Sequence, residues 1–566
     1  MKVLINNNEY EFNKDITILE ACHEIGIKIP TLCFLKDINE EASCRMCVVE
    51  LNPMGNLVTA CTTKIKDGMD ILTNSPKVIS SRKKTLELIL NNHNKTCLSC
   101  SKNGYCELQK LAKVYDIDLV YDKENIEVIH EDENSCIIRD NSKCILCNRC
   151  VNYCKKVMGV EAIKRIGRGN KTYIGSAYNK KLSETKCVSC GGCISVCPTG
   201  ALREKDNIER VLEALRNDKL EVVVSYAPAT RVTIGEEFGY RDGENVSNKL
   251  NSALRLLGFK EVFDITFGAD MTILEEGEEF ISRLKSKTNL PLMTSCCPAW
   301  VNFIQNFYPE YINNLSSVKS PMGITGSLYK TYYCEKNHLN PKNVFFVSVM
   351  PCVAKKTEID KRSTATKYND VDVSLTVREL VKMIKMAGIN LKELEGSDFS
   401  SLIGKGNSII FGNSGGVMES ALRYAKEKLE NKGSRNLVYK EIRGMKGIKE
   451  ASYIINKQQI NVLVVSGLSN IKNVIESGIL KKYHFIEVMA CPNGCINGAG
   501  NPYMDGYTRS FSNYIKKRSQ GLYGIENNLK SCKAKDNILV KNIYKEYLDC
   551  PGSSKAHQIL HTKYKK

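Results

Sequence analysis

The sequence predicts a multidomain chain, α+β through about its first 200 residues and α/β beyond them. Three observations carry that reading. Two short alternating segments in VLINNNEYEF precede a helical stretch around Ile18–Ile25. Beyond residue 206, apolar β-rich segments (Leu220–Ser225, Val344–Val349, Ser408–Phe411, Asn461–Val465) alternate with helical ones, the pattern of parallel strands with helical crossovers. The chain also holds 25 cysteines, most of them in tight Cys-x-x-Cys groups.

Composition narrows the class. With 42% hydrophobic and 25% charged residues in 566, and no low-complexity tract, the chain reads as several globular domains. Its first residues, MKVLINNNEYEF, lack the apolar core of a signal peptide, and no apolar run approaches the ~18 residues that span a bilayer. The expectation is a cytoplasmic protein. Disulfide scaffolds are short, exported chains, so these cysteines are expected as thiolates, ligands for zinc or iron–sulfur clusters. Spacing must choose between the metals.

Residues 1–78 carry Cys33, Cys44, Cys47 and Cys61. The plant-type [2Fe–2S] spacing is C-x4-C-x2-C with a distant fourth cysteine. Here the first gap is ten residues, while the Cys44/Cys47 pair and the distant Cys61 are kept. The segment resembles the β-grasp ferredoxin domain, in a variant found in large redox enzymes; the alternative is a zinc ribbon.

Residues 79–125 hold His93-x3-Cys97-x2-Cys100-x5-Cys106, following a helical stretch Ser81–Leu90. One histidine and three cysteines suit a structural zinc ion. The position between two ferredoxin-like modules points instead to a [4Fe–4S] cluster with one imidazole ligand. The arrangement resembles that which follows the [2Fe–2S] domain in NADH dehydrogenase large subunits and iron-only hydrogenases.

Residues 126–205 are the most specific. Cys144-x2-Cys147-x2-Cys150-x3-Cys154 precedes Cys187-x2-Cys190-x2-Cys193-x3-Cys197-Pro198. In this bacterial two-cluster run each fourth cysteine ligates the other cluster. Cys144, Cys147, Cys150 and Cys197 are thus assigned to one [4Fe–4S], and Cys187, Cys190, Cys193 and Cys154 to the second. The first run ends in Lys155 where proline is usual. Four clusters in about 200 residues make an electron relay.

Residues 206–566 should hold the chemistry the relay serves. They contain no G-x-G-x-x-G opening a helix, no P-loop and no H-E-x-x-H, so electrons must arrive from another protein. Three cysteine segments stand out: Thr294-Ser-Cys-Cys-Pro-Ala-Trp300, Met350-Pro-Cys-Val-Ala-Lys-Lys-Thr-Glu358, and Met489-Ala-Cys-Pro-Asn-Gly-Cys-Ile-Asn-Gly-Ala-Gly-Asn-Pro502. Each follows an apolar strand-like run, so their cysteines could meet at strand ends. Four of the five would hold one cubane.

The three segments resemble the signatures of the iron-only, or [FeFe], hydrogenases, and every fixed position is matched. The resemblance extends over essentially the whole chain and is similar to the clostridial type with four accessory clusters. It implies four parts: a β-grasp [2Fe–2S] domain, a small His/Cys cluster domain, a two-[4Fe–4S] ferredoxin-like domain and a large two-lobed α/β H-cluster domain. The implied H-cluster is a [4Fe–4S] held by Cys297, Cys352, Cys491 and Cys495. Cys495 bridges it to a two-iron subsite carrying CO, cyanide and azadithiolate, made by dedicated maturation enzymes. The implied reaction interconverts H2 with protons and electrons.

The resemblance makes Cys296, otherwise an unremarkable buried thiol, the last proton donor. It implies a relay onward through Glu279, Ser316, Glu276 and Arg283, in that order toward solvent. Glu276, Glu279 and Arg283 share one helix face; without the resemblance Glu279–Arg283 is an ordinary surface pair. Lys355 is implied to grip a cyanide, with backbone amides at Ala227-Pro228 helping. Met350 and Met489 flank the ligand segments, where core filling and packing on the subsite are both compatible with a methionine. Where the compared enzyme has polar side chains, this chain has Ala229, Met322, Val353 and Ala354. A drier pocket with fewer hydrogen bonds shifts cluster potentials, and the expectation is a bias toward H2 oxidation.

Net charge is +18, and clusters at roughly −2 each would leave the protein basic. A basic surface suits nucleic acid, anionic membrane or an acidic protein. With no nucleic-acid motif, the expected partner is an acidic ferredoxin or flavodoxin-like carrier; no nucleic acid and no membrane are expected, and the chain is expected to be a monomer. Cys22, Cys136, Cys334, Cys532 and Cys550 match no ligand pattern. Rival readings are a relay subunit of an NADH or formate dehydrogenase, a hydrogen sensor, or a cluster-assembly scaffold. The three signatures oppose the first; Cys296 and the short tail after the site, ending His561-Thr-Lys-Tyr-Lys-Lys, oppose the others.

Overall fold

A computed structural model describes residues 1–117, 136–359, 368–404, 407–430, 440–441, 446–529 and 533–564. Cys532 lies outside them.

The N-terminal strands are β1 (Lys2–Ile5), β2 (Asn8–Glu11), β3 (Val48–Asn52), β4 (Asn56–Thr59) and β5 (Asp70–Leu72). They form one sheet in the order β2-β1-β5-β3-β4, with β1 and β5 parallel. The helix Ile18–Glu24 crosses this sheet; Thr17 and Glu20 close a capping box at its start, and Ile18, Leu19, Ala21 and Cys22 enter the core. Alternating Val3 and Ile5 face the same core, the period-2 burial seen in the sequence. Cys22 is thus a core thiol.

Two small antiparallel ribbons follow: β6 (Ile137–Arg139) with a later β9, and β7 (Lys164–Ile166) with β8 (Tyr173–Gly175). Strand β9 (Leu202–Glu204) closes the first. Between them run the short helices Arg149–Asn152 and Gly192–Val196, which carry the two cysteine runs.

The large C-terminal part has two sheets. Strands β10 (Glu221–Tyr226), β11 (Glu261–Asp264), β13 (Val344–Met350) and β14 (Val373–Thr376) form an all-parallel sheet in the order β11-β10-β13-β14. Its strands are buried on both faces and mostly apolar, as in VVV of β10 and VFFV of β13. The second sheet has the order β12-β18-β17-β16-β15, with β12 (Leu292–Met293), β15 (Lys440–Glu441), β16 (Ile448–Ile455), β17 (Gln458–Ser466) and β18 (Phe485–Met489). Strands β12, β18 and β17 are parallel, while β16 and β15 add antiparallel. The helix Thr266–Ser286 packs against the helices Pro321–Leu328 and Gly416–Glu430.

Of the four expected strands, Val344–Val349 and Asn461–Val465 fall within β13 and β17, and Leu220–Ser225 matches β10 but for one residue at each end. Ser408–Phe411 forms no strand: it lies in a 3-10 turn, Asn407–Gly412, that caps the cavity described next. Its apolar run is short and buried for packing rather than pairing, a case periodicity alone does not resolve. No described helix is long and apolar enough to cross a membrane.

Candidate active site

The three cysteine segments follow β12, β13 and β18 at their C-terminal ends. Cys297 caps the helix Pro298–Phe307, with Pro298 in its first turn. The fixed residues around it fasten the loop: Trp300 Nε1 donates to Thr294 O (3.0 Å), Val488 N donates to Thr294 Oγ1 (3.2 Å), and Ser295 Oγ donates to Val318 O (2.9 Å). The third segment folds over the second. A Cβ at Gly498 would lie 2.1 Å from Pro351 O, and one at Gly500 2.7 Å from Cys352 N, so only glycine lets the loops interlock.

This packing brings Cys297, Cys352, Cys491 and Cys495 together; burial raises the thiols of Cys491 and Cys495, and the charges of Cys297 and Cys352 raise them further. Burial pushes the Cys352 thiol up to about 12. Backbone amides of Ala490, Trp300 and Ala299 point at Cys297, and those of Lys355 and Ala354 at Cys352. Four crowded thiols with amide donors suit anionic sulfur shared among several metal atoms. The donor set fits a cubane.

Beyond the cysteines opens a cavity lined by Ala227, Pro228, Cys296, Met322, Met350, Lys355, Phe411 and Met489 among others. Apart from the cysteines it offers one charged side chain, Lys355. That ammonium is buried, donating to Ser320 Oγ (2.8 Å) and Glu358 Oε2 (2.7 Å), and the carboxylate keeps its pKa raised. Ala229 and Met322 line the cavity; Met322 Sδ accepts from Ser348 Oγ at 3.1 Å. Val353 and Ala354 do not line it. Both are fully buried behind Cys352, Val353 packing against Gly191.

The proton-bearing residues are joined. Burial raises the Cys296 thiol, and among the carboxylates Glu276, ahead of Glu487, raises it further. It is 2% exposed, and burial pushes it up to about 8, with Glu279 next in effect; Ser316 hydrogen-bonds it. Ser316 Oγ donates to Glu279 Oε2 (2.9 Å), and Arg283 Nη2 to Glu279 Oε1 (2.6 Å). The contacts thus run from Cys296 to Glu276, Ser316 and Glu279, with Arg283 on Glu279, because helical rise carries residue 279 nearer the surface than 276.

The relay cysteines group as their runs suggest. Cys47 and Cys61 lie 3.2 Å apart, and a hydrogen bond from Cys44 holds the Cys33 thiol down to about 6. Two thiol pairs suit a two-metal cluster better than one tetrahedral ion. Arg149, 1% exposed, ties three modules: Nε donates to Cys33 O (3.3 Å) and both Nη atoms to Glu107, the residue after Cys106 (2.7 and 3.0 Å). Asn39 Nδ2 bridges Cys33 O (2.7 Å) and Cys147 O (3.0 Å). Lys102 Nζ donates to Cys197 O at 3.0 Å, and a Cβ at Gly200 would lie 2.3 Å from Cys100 Sγ. The His/Cys group therefore abuts the Cys197 cluster position. His93 itself is buried, its Nδ1 without a partner among the described residues, and burial lowers its pKa to about 4, the neutral form a metal needs. At the far end, Tyr153 faces both Cys190 and Cys491. Arg378 pairs with Glu204 (2.9 Å) and donates to Ala499 O and Asn501 O (2.6 and 2.7 Å), locking the last relay module to the third signature.

Several residues escaped sequence reading. Ser320 and Glu358 hold Lys355; the fixed place of Glu358 in its signature was the available signal. Asn39, Arg149, Arg378 and Glu487, which accepts from Gly415 N (2.6 Å) and Met418 N (2.9 Å), carried none.

A cysteine-walled cavity at the end of a chain of cysteine groups defines an iron–sulfur redox enzyme. Comparison with known proteins makes this specific. Residues 220–499 match the profile of the iron only hydrogenase large subunit, C-terminal domain, and residues 512–566 that of the iron hydrogenase small subunit. Residues 1–76 match a 2Fe-2S iron-sulfur cluster binding domain, 82–120 the NADH-ubiquinone oxidoreductase-G iron-sulfur binding region, and 134–203 the ferredoxin-like domain of NADH-quinone oxidoreductase subunit 3. Iron hydrogenase 1 of Clostridium pasteurianum is 42% identical over 100% of both chains. The NADP-reducing hydrogenase subunit HndD of Solidesulfovibrio fructosivorans is 40% identical over 97% of this chain and 96% of its own. The structure of a variant of the apo [FeFe]-hydrogenase HydA1 from Chlamydomonas reinhardtii superimposes with a TM-score of 0.57 at 33% identity, covering 64% of this chain and 99% of that one. The chain belongs to the [FeFe]-hydrogenase family and is a hydrogenase with iron–sulfur accessory domains.

Proposed function

We propose that the enzyme interconverts H2 with protons and electrons at an H-cluster seated in the cavity behind Cys297, exchanging electrons with an acidic carrier through one [2Fe–2S] and three [4Fe–4S] clusters. The observation that carries this is the convergence of Cys297, Cys352, Cys491 and Cys495 from three separate segments, with a fifth, unligated cysteine facing the same cavity. These four would hold the cubane, and Cys495 would also hold the two-iron subsite. When bound, the group supplies the site at which H2 is split or formed.

The chain's own residues do the rest. Lys355 presents a cation to the ligands of the subsite, its charge fixed by Glu358. Met322, Met350, Met489 and Phe411 exclude bulk water, and Ala227-Pro228 close one wall. Cys296 gives and takes the proton at the cavity, Glu276 relays it to Ser316, and Glu279 receives it. Electrons run from the Cys33 and His93 modules through the Cys144 group to the Cys187 group, which neighbours the third and second signatures through Tyr153, between Cys190 and Cys491, and through Gly191 against Val353. A net charge of +18 favours an acidic ferredoxin or flavodoxin-like donor, although the relative named as NADP-reducing leaves a second carrier subunit as a variant of the same scheme. The apolar contribution of Ala229 and Met322 supports a bias toward H2 oxidation; a film voltammogram dominated by proton reduction near the equilibrium potential defeats that finer reading.

The test is infrared spectroscopy on protein matured anaerobically with the maturation enzymes, paired with an H2 assay on a viologen. CO and cyanide bands with turnover support the reading. Full maturation without those bands leaves only a relay protein.

A further inference from the structure

The inner proton path ends at Glu279, and its outlet is the unexplained part. Arg283 is an unsuitable carrier. Its guanidinium donates to Glu279 and to the carbonyls of Asn289, Asn313, Asn314 and Leu315, at 2.6 to 3.2 Å. A guanidinium has no acceptor and does not deprotonate in proteins. Arg283 therefore anchors Glu279 and passes nothing on.

A second group touches Glu279. Ser317 Oγ lies 3.3 Å from Glu279 Oε1 and 2.8 Å from His561 Nδ1. The other nitrogen, His561 Nε2, lies 3.0 Å from Glu275 Oε2. Glu275 is fully buried and also accepts from Tyr544 OH (2.6 Å) and Gly552 N (3.0 Å). Backbone pairing fixes the register: Thr562 N donates to Ser317 O (2.7 Å) and Lys319 N to Leu560 O (2.8 Å). One turn earlier, exposed His557 sets its ring 4.0 Å from that of His561. The serine hydroxyl has one proton and two claimants, the carboxylate and the imidazole.

We propose that protons pass between Glu279 and solvent through Ser317, His561 and His557. Protonated Glu279 gives its proton to Ser317 Oγ as Ser317 gives its own hydroxyl proton to His561 Nδ1. The product is a Glu279 carboxylate and a His561 imidazolium paired with Glu275 through its Nε2–H. His561 then gives up that Nε2 proton, which the adjacent exposed His557 ring takes on to water, and is left neutral with its proton on Nδ1. Hydrogen oxidation runs this outward and proton reduction inward. A hydroxyl both donates and accepts, and imidazole is the side chain suited to proton exchange near neutral pH. The groups facing His561 are Glu275 and Glu279 from one helix, Tyr544, and His557 from its own helix; Arg283 is one step removed, on Glu279. His561 comes from the segment matching the hydrogenase small subunit, while Ser317 and Glu279 belong to the large-subunit match.

The inference rests on the inner path proposed above, and the test separates the two. In matured enzyme, His561→Gln and Ser317→Ala are each expected to lower turnover in both directions on the order of tenfold. That is less than the ~10²-fold of a positioned proton donor, since Glu279 keeps an edge at water. The double variant should lose no more than either single one. The carboxylic-acid infrared band of the buried glutamates in resting enzyme should shift its pH midpoint in His561→Gln, with the CO and cyanide bands and iron content unchanged. Unaltered turnover in both variants overturns the outlet. So does a loss with an unmoved glutamate band, or a double variant whose losses multiply. The glutamate band reads the outlet whether or not Cys296 proves to be the inner donor, which Cys296→Ser tests by itself.

Discussion

Ser316 donates a 2.9 Å hydrogen bond to Glu279 while its other carboxylate neighbour, Glu276, lies deeper, with Oε2 buried and without a partner among the described residues. The serine therefore separates a wet carboxylate from a dry one. Acid and base on one path are usually set apart by environment in this way.

From that asymmetry follows a pH prediction. Glu276 is held protonated up to about pH 8 by burial and by Glu279, whereas the unfolded chain ionises near the ordinary glutamate value. Between these values the native state holds the extra proton, so the stabilisation is complete below the unfolded pKa and is lost as pH rises to about 8. The slope from this group is about 1.4 kcal/mol per pH unit. Glu276→Gln should flatten the fall of Tm between pH 5 and about 8 in calorimetry, while lowering turnover ~10²-fold or more. An unchanged pH dependence of Tm would show that Glu276 is ionised in the fold.

Cys296→Ser replaces the thiol at the cavity with a hydroxyl that is far less acidic. Turnover should nearly vanish, while the electron paramagnetic signals of the reduced accessory clusters persist. Normal H2 evolution in that variant removes Cys296 from the path.

Lys355 and Glu358 form a buried ion pair at 2.7 Å, both side chains largely sequestered. Removing one partner strands the other charge, at a cost of roughly 3–5 kcal/mol. Lys355→Met should thus lower Tm and reduce the CO and cyanide bands after maturation. Lys355→Met with Glu358→Gln should recover most of the Tm but not the bands or the turnover. Recovery of turnover in the double variant would mean that the cation serves the fold alone.

The cysteine groups were legible in the sequence because thiolate ligation imposes fixed spacings, as in the two runs ending at Cys154 and Cys197. Strands β10, β13 and β17 were legible because both-face burial leaves continuous apolar runs. The order of Glu276 and Glu279 was not, since both lie on one helix face and only the depth of packing tells them apart. Ser317, His561 and Glu275 were invisible for a related reason: residues 317 and 561 are neighbours only through a backbone bridge between distant segments. Ser408–Phe411 misled because four buried apolar residues suit a strand or a turn equally.

Arg149 gives the sharpest test of the relay. It sits where Cys33 O, Glu107 and the helix carrying Cys150 meet, and it is one of the largest fully buried side chains. Its bidentate grip on Glu107 sets the distance between the [2Fe–2S] loop and the His/Cys module, and lysine cannot reproduce the fork. Arg149→Lys should keep the H-cluster bands and turnover driven by a small viologen that reaches the later clusters. Turnover with a protein carrier, which must enter through the N-terminal modules, should fall several-fold, as lost geometry lengthens the path. Breaking the pair outright in Arg149→Met leaves Glu107 buried without its partner, costing roughly 3–5 kcal/mol and visible as a lower Tm. If Arg149→Lys slows both assays equally, the residue supports the fold as a whole. If it slows neither, the N-terminal modules do not carry the electrons.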